Sequence, residues 1–307
     1  MSLLKILTGA SLAFVLIGCQ TESDNELVAT SELALKVCAA PANGTGNVCS
    51  PAPGQLQFQV SLPSDQAYVE VFVRQNGIQN VAQAIETTGV SHGDGWSTYS
   101  LTRAGYAPGD KIEYRFYSHL PRACGVFTPG TAESTWYGYL GGVPVSKDAA
   151  VIYASLGVGP AAGRNFGAEP SVDIGNYHLT SEGLFGYSWA GLVPAGATIT
   201  RADLVLPSPY TPGGPTVTLR LNQVTAAWSE STVTWNNKPA YTYLRDVQVT
   251  QSVENRLDVT DVVVASQAAG EASLALQPAS NNINNVFIAA KESTGAAPTS
   301  LSIHWIH

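Results

Sequence analysis

Residues 111–117 read Lys-Ile-Glu-Tyr-Arg-Phe-Tyr, and this stretch decides the fold class. Its strongly apolar members Ile112, Tyr114 and Phe116 occupy every second position, with charged or polar-tipped side chains between them. A period of two is typical of an antiparallel strand that has one face in a core and one face in water. The stretch therefore predicts a half-buried strand whose even-numbered side chains lie inside.

Three segments near this strand share its period of two. They are QLQFQVSL at residues 55–62, YVEVFVR at 68–74 and WSTYSL at 96–101. Turn-forming pairs, Asn76-Gly77 and Asp94-Gly95, follow or precede these segments. Together they predict an antiparallel sandwich of the immunoglobulin-like sort over residues 51–140. Residues 81–87 are ambiguous, and a short helix is the alternative there.

The rest of the chain predicts a second all-β domain. Residues 141–147 are rich in Gly, Val and Pro without a clear period, so we interpret them as a linker. Short β-rich segments follow at residues 151–154, 198–206, 216–224, 245–249, 257–263, 273–276, 286–290 and 300–306. Their number predicts a jelly-roll-like antiparallel sandwich over residues 148–307. Residues 258–267 fit, as an alternative, a helical turn capped by Asp258 or Thr260.

The N-terminus has the order of a secretory signal. Lys5 precedes an apolar run over residues 6–17, which is too short to span a bilayer. The run closes with LIGC at residues 16–19, a tetrad that resembles the bacterial lipoprotein motif. This resemblance implies a signal peptide at residues 1–18 and acylation, including palmitate, at Cys19. An ordinary secretory signal with a chance cysteine is the alternative.

The lipoprotein resemblance also implies a location. Several acyl chains on one residue form a stable membrane anchor. Gln20 follows the cysteine where an Asp would favour the inner membrane of a Gram-negative cell. We therefore expect an outer-membrane lipoprotein, on its surface or periplasmic side, with residues 19–50 as the lipidated cysteine and tether.

Composition narrows the range of partners. Charged residues make up 12% of the chain, the formal net charge is −8, and no basic run is present. Nucleic acid and polyanionic glycans are therefore disfavoured as ligands. An exported protein can hold disulfides, and Cys38–Cys49 is the preferred pair, with Cys124 as the alternative partner of either. We predict no metal site and no cofactor, because no His lies at ligand spacing beside these cysteines.

Several strings in the first domain carry a family resemblance. They are YVEVFV at residues 68–73, WSTY at 96–99, KIEYRF at 111–116 and WYGY at 136–139. Over residues 55–139 the chain resembles the β-1,3-glucan-binding modules of carbohydrate-binding module family 56. The resemblance implies non-catalytic binding of a neutral β-glucan. Residues 122–124 and 130–135 are insertions relative to that pattern.

The second domain carries a longer signature. Its strings are WSESTVTWNNKP at residues 228–239, PAGATI at 194–199, NFG at 165–167 and LDVTD at 257–261. They are similar to the DNRLRE domain family, which overlaps carbohydrate-binding module family 96, and the resemblance covers residues 147–307. It implies a glycan-binding module or a spacer. Residues 186–191 (GYSWAG) and 290–292 (AKE) lack two arginines of the pattern, which weakens any transfer of acidic-glycan binding.

The alternation of inward and outward side chains along the strands of the first domain indicates its candidate binding residues. Sugar rings expose C–H groups that stack on aromatic rings, while nearby polar groups bind their hydroxyls. The outward candidates are Trp136, Trp96, Tyr117, His119, Tyr137, Glu113 and Arg115. Trp136 is the best single platform, although burial in the sandwich core is the alternative for each aromatic ring. In the second domain we expect Trp228 and Trp235 to pack in the core or at its rim.

No catalytic string accompanies these features. A glycosidase needs two carboxylates roughly 5 to 10 Å apart, and the acidic residues are scattered. The nucleophile elbow, the zinc-protease motif and the P-loop are all missing. We therefore predict non-catalytic polysaccharide binding at the cell surface. One alternative is a surface adhesin or envelope scaffold that binds a protein, and another is a cryptic polysaccharide lyase or hydrolase.

Overall fold

The structure is a computed structural model that describes most of the two predicted domains. The described residues are 40–41, 46–52, 54–64, 68–79, 83–85, 89–120, 128–129, 136–154, 161–176, 179–212, 214–280 and 285–306. They form antiparallel sheets with one short α-helix, which confirms the all-β prediction. The predicted signal peptide and Cys19 lie outside them. No helix of the described part is long and apolar enough to cross a membrane.

The first module contains two facing sheets. Its strands are β1 (Gly46–Cys49), β2 (Gln55–Pro63), β3 (Tyr68–Gln75), β4 (Ile78–Gln79), β5 (Gln83–Ile85), β6 (Val90–Ser91), β7 (Trp96–Ala104), β8 (Lys111–Leu120) and β9 (Thr128–Pro129). One sheet has the order β1-β2-β7-β6, and β3, β5 and β8 belong to the other. Because β5 pairs with β3, the alternative helix over residues 81–87 is wrong at these positions.

The core of the first module confirms that the even-numbered side chains of residues 111–117 lie inside. Ile112, Tyr114 and Phe116 are buried, and the Tyr114 ring packs edge-on against Phe58 with 5.3 Å between ring centroids. Aromatic pairs in this geometry add to the stabilisation that burial alone supplies. Cys49 is the last residue of β1. Cys38 and Cys124 lie outside the described residues, so the Cys38–Cys49 disulfide stays a prediction.

Strand β10 (Tyr137–Ala154) runs through both modules, so the predicted linker at residues 141–147 is wrong. Its first residues pair with β8 of the first module, and its last residues pair with β12 (Leu179–Ser188) of the second. The Gly-Gly pair at 141–142 forms an irregularity in the register, where Gly142 has a φ of +69°. Glycine adopts this conformation without steric cost, so the strand bends and continues instead of ending.

The second module is built around one large core. Its further strands are β11 (Ser171–Ile174), β13 (Thr198–Leu206), β14 (Thr216–Val224), β15 (Tyr241–Thr250), β16 (Asn255–Asp258), β17 (Glu271–Pro278), β18 (Val286–Ala289) and β19 (Ser300–Ile306). The strand order is β15-β14-β17-β12-β10-β19-β13-β16, and β11 pairs with β18 in a separate two-stranded sheet. Side chains such as Phe185, Leu221 and Trp305 fill the space enclosed by these strands.

A short helix, α1 (Thr260–Ala265), follows β16, which confirms the helical alternative for residues 258–267, but the N-cap is Val259 and not the predicted Asp258 or Thr260. A strand over residues 257–263 is therefore wrong beyond Asp258. The Asp258 carboxylate accepts hydrogen bonds from the Thr260 backbone N–H at 2.9 Å and from its hydroxyl at 2.6 Å. These bonds occupy a donor that a helix start leaves without an intrahelical partner.

The segment between β14 and β15 covers part of the sheet on the side away from the large core. Val233, Trp228 and Trp235 from this segment pack with Val151 and Leu184 of the sheet. This confirms core or rim packing for the two tryptophans. The sheet is therefore buried on both faces where the segment crosses it.

Contacts with residues 165–167 hold this segment in place. The Asn165 side-chain amide donates to the carbonyls of Glu230 and Val233, each at 2.7 Å. Gly167 leaves no room for a side chain, because a Cβ there would overlap the Glu230 backbone. The NFG and WSESTVTWNNKP strings of the sequence are thus two halves of one contact.

Candidate functional site

The principal candidate site lies beside this covering segment, on the exposed part of the same sheet face. We call it the outer face and define it by residues Tyr153, Glu182, Arg220, Asn222, Trp235, Lys238, Tyr241, Tyr243, Asp246 and Gln277. Trp235 and Lys238 belong to the covering segment, and the other residues lie on β10, β12, β17, β14 and β15, with Arg220 opposite both Gln277 and Asp246. The alternate positions, such as Leu219 and Leu276, face the large core.

A network of hydrogen bonds centres on the Glu182 carboxylate, which is almost fully buried. Lys238 Nζ donates to its Oε2 at 2.7 Å, and the Tyr241 hydroxyl donates to the same oxygen. The Gln277 amide donates to Oε1 at 2.7 Å. The Asn222 amide in turn donates to Gln277 Oε1 at 3.0 Å. Charge-assisted bonds of this kind fix the positions of every group involved.

Electrostatics keep the Tyr241 hydroxyl in its neutral, donating form. Burial raises the pKa of Tyr241 far above its usual value, and the hydrogen bond to Glu182 raises it further. The Lys238 ammonium neutralises the Glu182 carboxylate nearby. The network therefore presents fixed dipoles rather than an excess of one charge.

Aromatic rings flank the polar network. The Trp235 ring lies 3.5 Å from Lys238 Nζ and 5.6 Å, centroid to centroid, from the Tyr153 ring. Tyr153 and Tyr243 are 48% and 55% exposed, so both rings offer surface to a ligand. The Tyr243 hydroxyl bonds weakly to Asp246 at 3.4 Å. Exposed rings beside fixed donors and acceptors are what stacking and hydroxyl recognition of a sugar require.

Local capping positions Trp235. It begins a single 3₁₀ turn over Trp235–Asn237. The Asn237 side chain accepts from the Thr234 backbone at 2.6 Å and donates to the Thr232 carbonyl at 3.0 Å. These bonds stabilise the turn, so Trp235 and Lys238 are held in place before a ligand binds.

A second polar cluster lies under the same covering segment and has a structural role. Glu230 accepts from the Asp148 backbone at 2.7 Å and pairs with Lys291 Nζ at 2.9 Å. The Lys291 backbone donates to Asp148 at 2.9 Å, and Glu292 lies close to both other carboxylates. Three carboxylates at such spacing can hold a cation, but the Lys291 ammonium already pairs with two of them. The cluster ties β10, the covering segment and the AKE string together.

The Asp148 carboxyl makes a testable contribution to the pH dependence of stability. Burial raises its pKa from 3.8 to about 6, with Glu292 and Glu230 adding to the rise. A carboxyl with a raised pKa holds its proton more tightly in the folded state. The contribution of the Asp148 carboxyl to the free energy of unfolding is thus fully present below about pH 4, and it is lost as the pH rises to about 6. Relative to Asp148→Asn, the wild-type melting temperature is expected to fall across this window.

Scanning calorimetry of both proteins between pH 4 and pH 7.5 measures this difference. Asparagine has no proton to lose there and retains a carbonyl oxygen for the Lys291 N–H. Subtracting the two curves removes every titration that the proteins share. A difference that stays constant with pH would show that Asp148 ionises in the folded protein as it does in the unfolded one.

The first module brings some of the predicted candidates together. Trp136 is half-buried and directly precedes β10, and the guanidinium carbons of Arg74 and Arg115 lie 4.1 Å and 4.8 Å from the centroid of a Trp136 ring. Arg115 also lies over the Phe72 ring at 5.3 Å. Phe72 pairs with Arg115 across β3 and β8, so these side chains form a row on one sheet face. Guanidinium groups stacked in this way are favourable cation–π pairs.

Other predicted candidates lie elsewhere. Trp96 begins β7, so it belongs to the opposite sheet from Trp136 and the two do not share a surface. Tyr137 stacks on the core residue Tyr114 at 5.4 Å, which turns its ring toward the interior. Glu113 is only 7% exposed, so its predicted exposure is wrong; it forms a 3.3 Å ion pair with Lys111.

The backbones of Tyr117 and His119 lie in β8, opposite Glu70 and Tyr68 of β3. Their side chains are outside the described part of the structure, so ligand contacts by these two residues stay a prediction. The outer face of the second module was not anticipated from the sequence. The part of the sequence that pointed toward this surface is the TWNNKP string, which contains Trp235 and Lys238.

Comparison with known proteins agrees with the second module's resemblance. Residues 154–303 match the profile of Carbohydrate-binding module family 96. That range contains nearly all of the outer face, including Glu182, Trp235 and Tyr243. The match supports carbohydrate binding in general and a binding module rather than a catalyst. A search of curated proteins found no match.

Six chains of solved structures also match. One is the cycloalternan-forming enzyme from Listeria monocytogenes in complex with pentasaccharide substrate, 10% identical, with a TM-score of 0.26. The alignment covers 80% of this chain and 30% of the enzyme chain. This chain thus spans less than a third of that enzyme. A TM-score this low does not indicate a shared fold or function.

Proposed function

We propose that this protein binds polysaccharide without chemically changing it, and that the outer face of the second module is its main site. One observation carries the proposal: exposed Tyr153 and Tyr243 rings lie on either side of a fixed network around Glu182. A sugar chain lying across this face would stack on the rings and bond to exposed polar side chains beside the network, such as Arg220 and Asp246.

The charges of the outer face favour a neutral glycan. Glu182 is paired with Lys238 at 2.7 Å, and Arg220 lies 4.0 Å from Asp246. Each cation therefore already has a carboxylate partner, and a second carboxylate from an acidic sugar would have to compete with it. Neutral hydroxyl groups have no such competitor, since they bond to the same side chains as donors or acceptors.

We also propose that the first module binds β-1,3-glucan, as its family resemblance implies. The row of Phe72, Arg115 and Trp136 supports this proposal, because it places aromatic surface and donors on one sheet face. Acylation of Cys19 would hold both modules at the outer membrane, where polysaccharide is encountered. The lipid anchor and the location stay predictions from the sequence.

Truncation of Trp136 tests the first module. Trp136→Ala is expected to reduce retention on insoluble β-1,3-glucan several-fold, because the stacking platform and its two guanidinium contacts are lost. Trp96→Ala is the matched control, since Trp96 is also half-buried but lies in the other sheet. Depletion assays with insoluble β-1,3-glucan measure both. If the two variants and the wild type are retained equally, Trp136 is not part of a glucan-binding site and the proposal for the first module is wrong.

A panel of polysaccharides tests the main proposal. The purified protein is incubated with insoluble β-1,3-glucan, cellulose, chitin and xylan, and the fraction depleted from solution is measured. We expect retention on at least one neutral polysaccharide, competition by soluble fragments of it, and no release of reducing sugar. Retention on cells that no soluble glycan competes away would instead favour the protein-binding alternative. Release of reducing ends would favour a hydrolase or lyase.

A further inference from the structure

A cleft of about 410 Å³ lies where the first module, β10 and the second module meet. The first module contributes Tyr106 and Pro108, β10 contributes Tyr139, and the second module contributes Arg256 and Ser302. Its volume is at the lower end of the roughly 300–1,000 Å³ typical of small-ligand sites, which often lie between domains. None of these residues belongs to the outer face.

The first-module wall of the cleft is held rigidly. Gly109 donates a backbone hydrogen bond of 2.6 Å to the Gly141 carbonyl of β10. Asp110 Oδ2 accepts from the Ala107 backbone and from the Gln75 side chain, each at 2.8 Å. These bonds close the turn that carries Tyr106 and Pro108 and attach it to the shared strand.

The second-module wall is held by ion pairs and hydroxyls. Arg256 Nε bonds to Glu254 at 2.7 Å, and its Nη1 bonds to the Ser302 hydroxyl at 3.3 Å. The Tyr139 side chain also bonds to Ser302. A site whose walls are fixed in this way loses little conformational entropy on binding.

The chemistry of the lining selects among ligand classes. The exposed rings of Pro108 and Pro144 supply apolar surface for C–H groups, and Asp110, Glu254 and Arg256 supply polar atoms. Those two carboxylates and one guanidinium are the ionised groups of the described lining, so its formal charge is −1. An anionic ligand is therefore disfavoured, and an uncharged ligand with both C–H faces and hydroxyl groups fits best.

Tyr106 supports this wall of the cleft from inside the first module. Its hydroxyl is buried, and its ring packs in the first-module core, 6.1 Å from the Phe58 ring between centroids.

We infer that this cleft is a second sugar site, which takes one or two rings at the end of a neutral glycan chain. The inference rests on the proposed carbohydrate function and extends it to a separate place. The outer face is an open sheet surface suited to the middle of a chain, whereas a cleft of this volume suits a chain end. Because β10 runs through both modules, the two sites keep a fixed spacing.

Two substitutions at the mouth of the cleft test the inference. Ala107 and Ala297 line the cleft from opposite modules, and both are exposed, so tryptophan at either position would block entry without disturbing a core. Ala168→Trp is the matched control, because Ala168 is exposed and lies away from the cleft. Thermal melting of each variant confirms that the fold is kept.

Titration calorimetry with laminaribiose, cellobiose and chitobiose is the readout. We expect the wild type to bind at least one with a Kd of about 1 mM or tighter. Ala107→Trp and Ala297→Trp should weaken this binding at least tenfold, and Ala168→Trp should not. A Tyr153→Ala/Tyr243→Ala variant should lose the part of polysaccharide retention that Trp136→Ala leaves, while the disaccharide binding that the mouth variants remove stays unchanged.

Each outcome separates the cleft from the outer face. Absence of disaccharide binding up to about 10 mM, or binding that both mouth variants leave intact, would overturn the cleft site even if polysaccharide is retained. Disaccharide binding that the mouth variants abolish, without polysaccharide retention by the wild type, would support the cleft and overturn the outer face.

Discussion

Replacing Tyr243 with alanine is expected to weaken polysaccharide binding at least about tenfold, a loss of roughly 1.4 kcal/mol. The Tyr243 ring is 55% exposed on the outer face, so its removal takes stacking surface from the ligand and little packing from the fold. The melting temperature should therefore stay nearly unchanged. Affinity electrophoresis in gels that contain the retained polysaccharide measures the loss, and the Tyr153→Ala/Tyr243→Ala variant should lose more than either single variant.

Tyr210 provides the matched control for this substitution. It is 54% exposed, almost the same as Tyr243, but it pairs with Phe287 on the separate two-stranded sheet. Tyr210→Ala removes the same atoms from a surface outside the proposed site. If the Tyr210 and Tyr243 variants migrate alike, exposed tyrosine in general, and not the outer face, would account for the binding.

Gly138→Val is expected to destabilise the folded protein by about 3 kcal/mol or more. Gly138 lies on β10 between Glu113 of β8 and Trp305 of β19. A Cβ at this position would overlap the Trp305 indole, which is 1% exposed and cannot move into solvent without opening the core. Because β10 belongs to both modules, both are expected to lose stability. Urea unfolding followed by tryptophan fluorescence measures the change.

Gly295→Val is the control for the glycine substitution. No heavy atom lies within 4 Å of a Cβ built on Gly295, and its backbone is outside the left-handed region. The control should change the free energy of unfolding by less than about 0.5 kcal/mol. Similar values for the two variants would mean that β10 and Trp305 are not packed against each other as described.

The first module could be predicted well because its strands alternate cleanly. In β8, Ile112, Tyr114 and Phe116 face the core as their spacing indicates. The alternation of side chains along β8 could not show which residues cover its other face. Glu113 is buried there, because neighbouring side chains such as Lys111 lie against it. Exposure depends on the packing of adjacent strands, which a single strand's sequence does not contain.

Of two central strands of the second module, β12 was not predicted and β10 was predicted only in part, for related reasons. β12 carries Gly183 and Gly186, which break its hydrophobic pattern. Gly183 is small because Val172 and Ile174 of β11 pack onto its core face, and Gly186 makes room for Lys147. Residues 141–147 of β10 were interpreted as a linker because their Gly-Gly bend resembles a loop. Each of the β12 glycines lies where a residue distant in sequence packs closely against the strand.

The outer face could not be predicted because it combines five strands that are far apart in the chain. Glu182 comes from β12, which was not predicted, and Tyr153 lies near the end of β10, of which only residues 151–154 were predicted as a strand of the second domain. Only the covering segment carried a recognisable string, and there Trp235 was expected to pack rather than to border a site. The family resemblance covers the second module, whereas the proposed binding surface could be recognised only from the order of the strands in the sheet.

The most direct test of the account is a crystal structure of the protein with a hexasaccharide of whichever neutral polysaccharide retains it. The account predicts sugar rings stacked on Tyr153 and Tyr243, with hydroxyl groups bonded to the side chains around Glu182. A hexasaccharide bound only to the first module or to another surface, with both tyrosine rings bare, would contradict it.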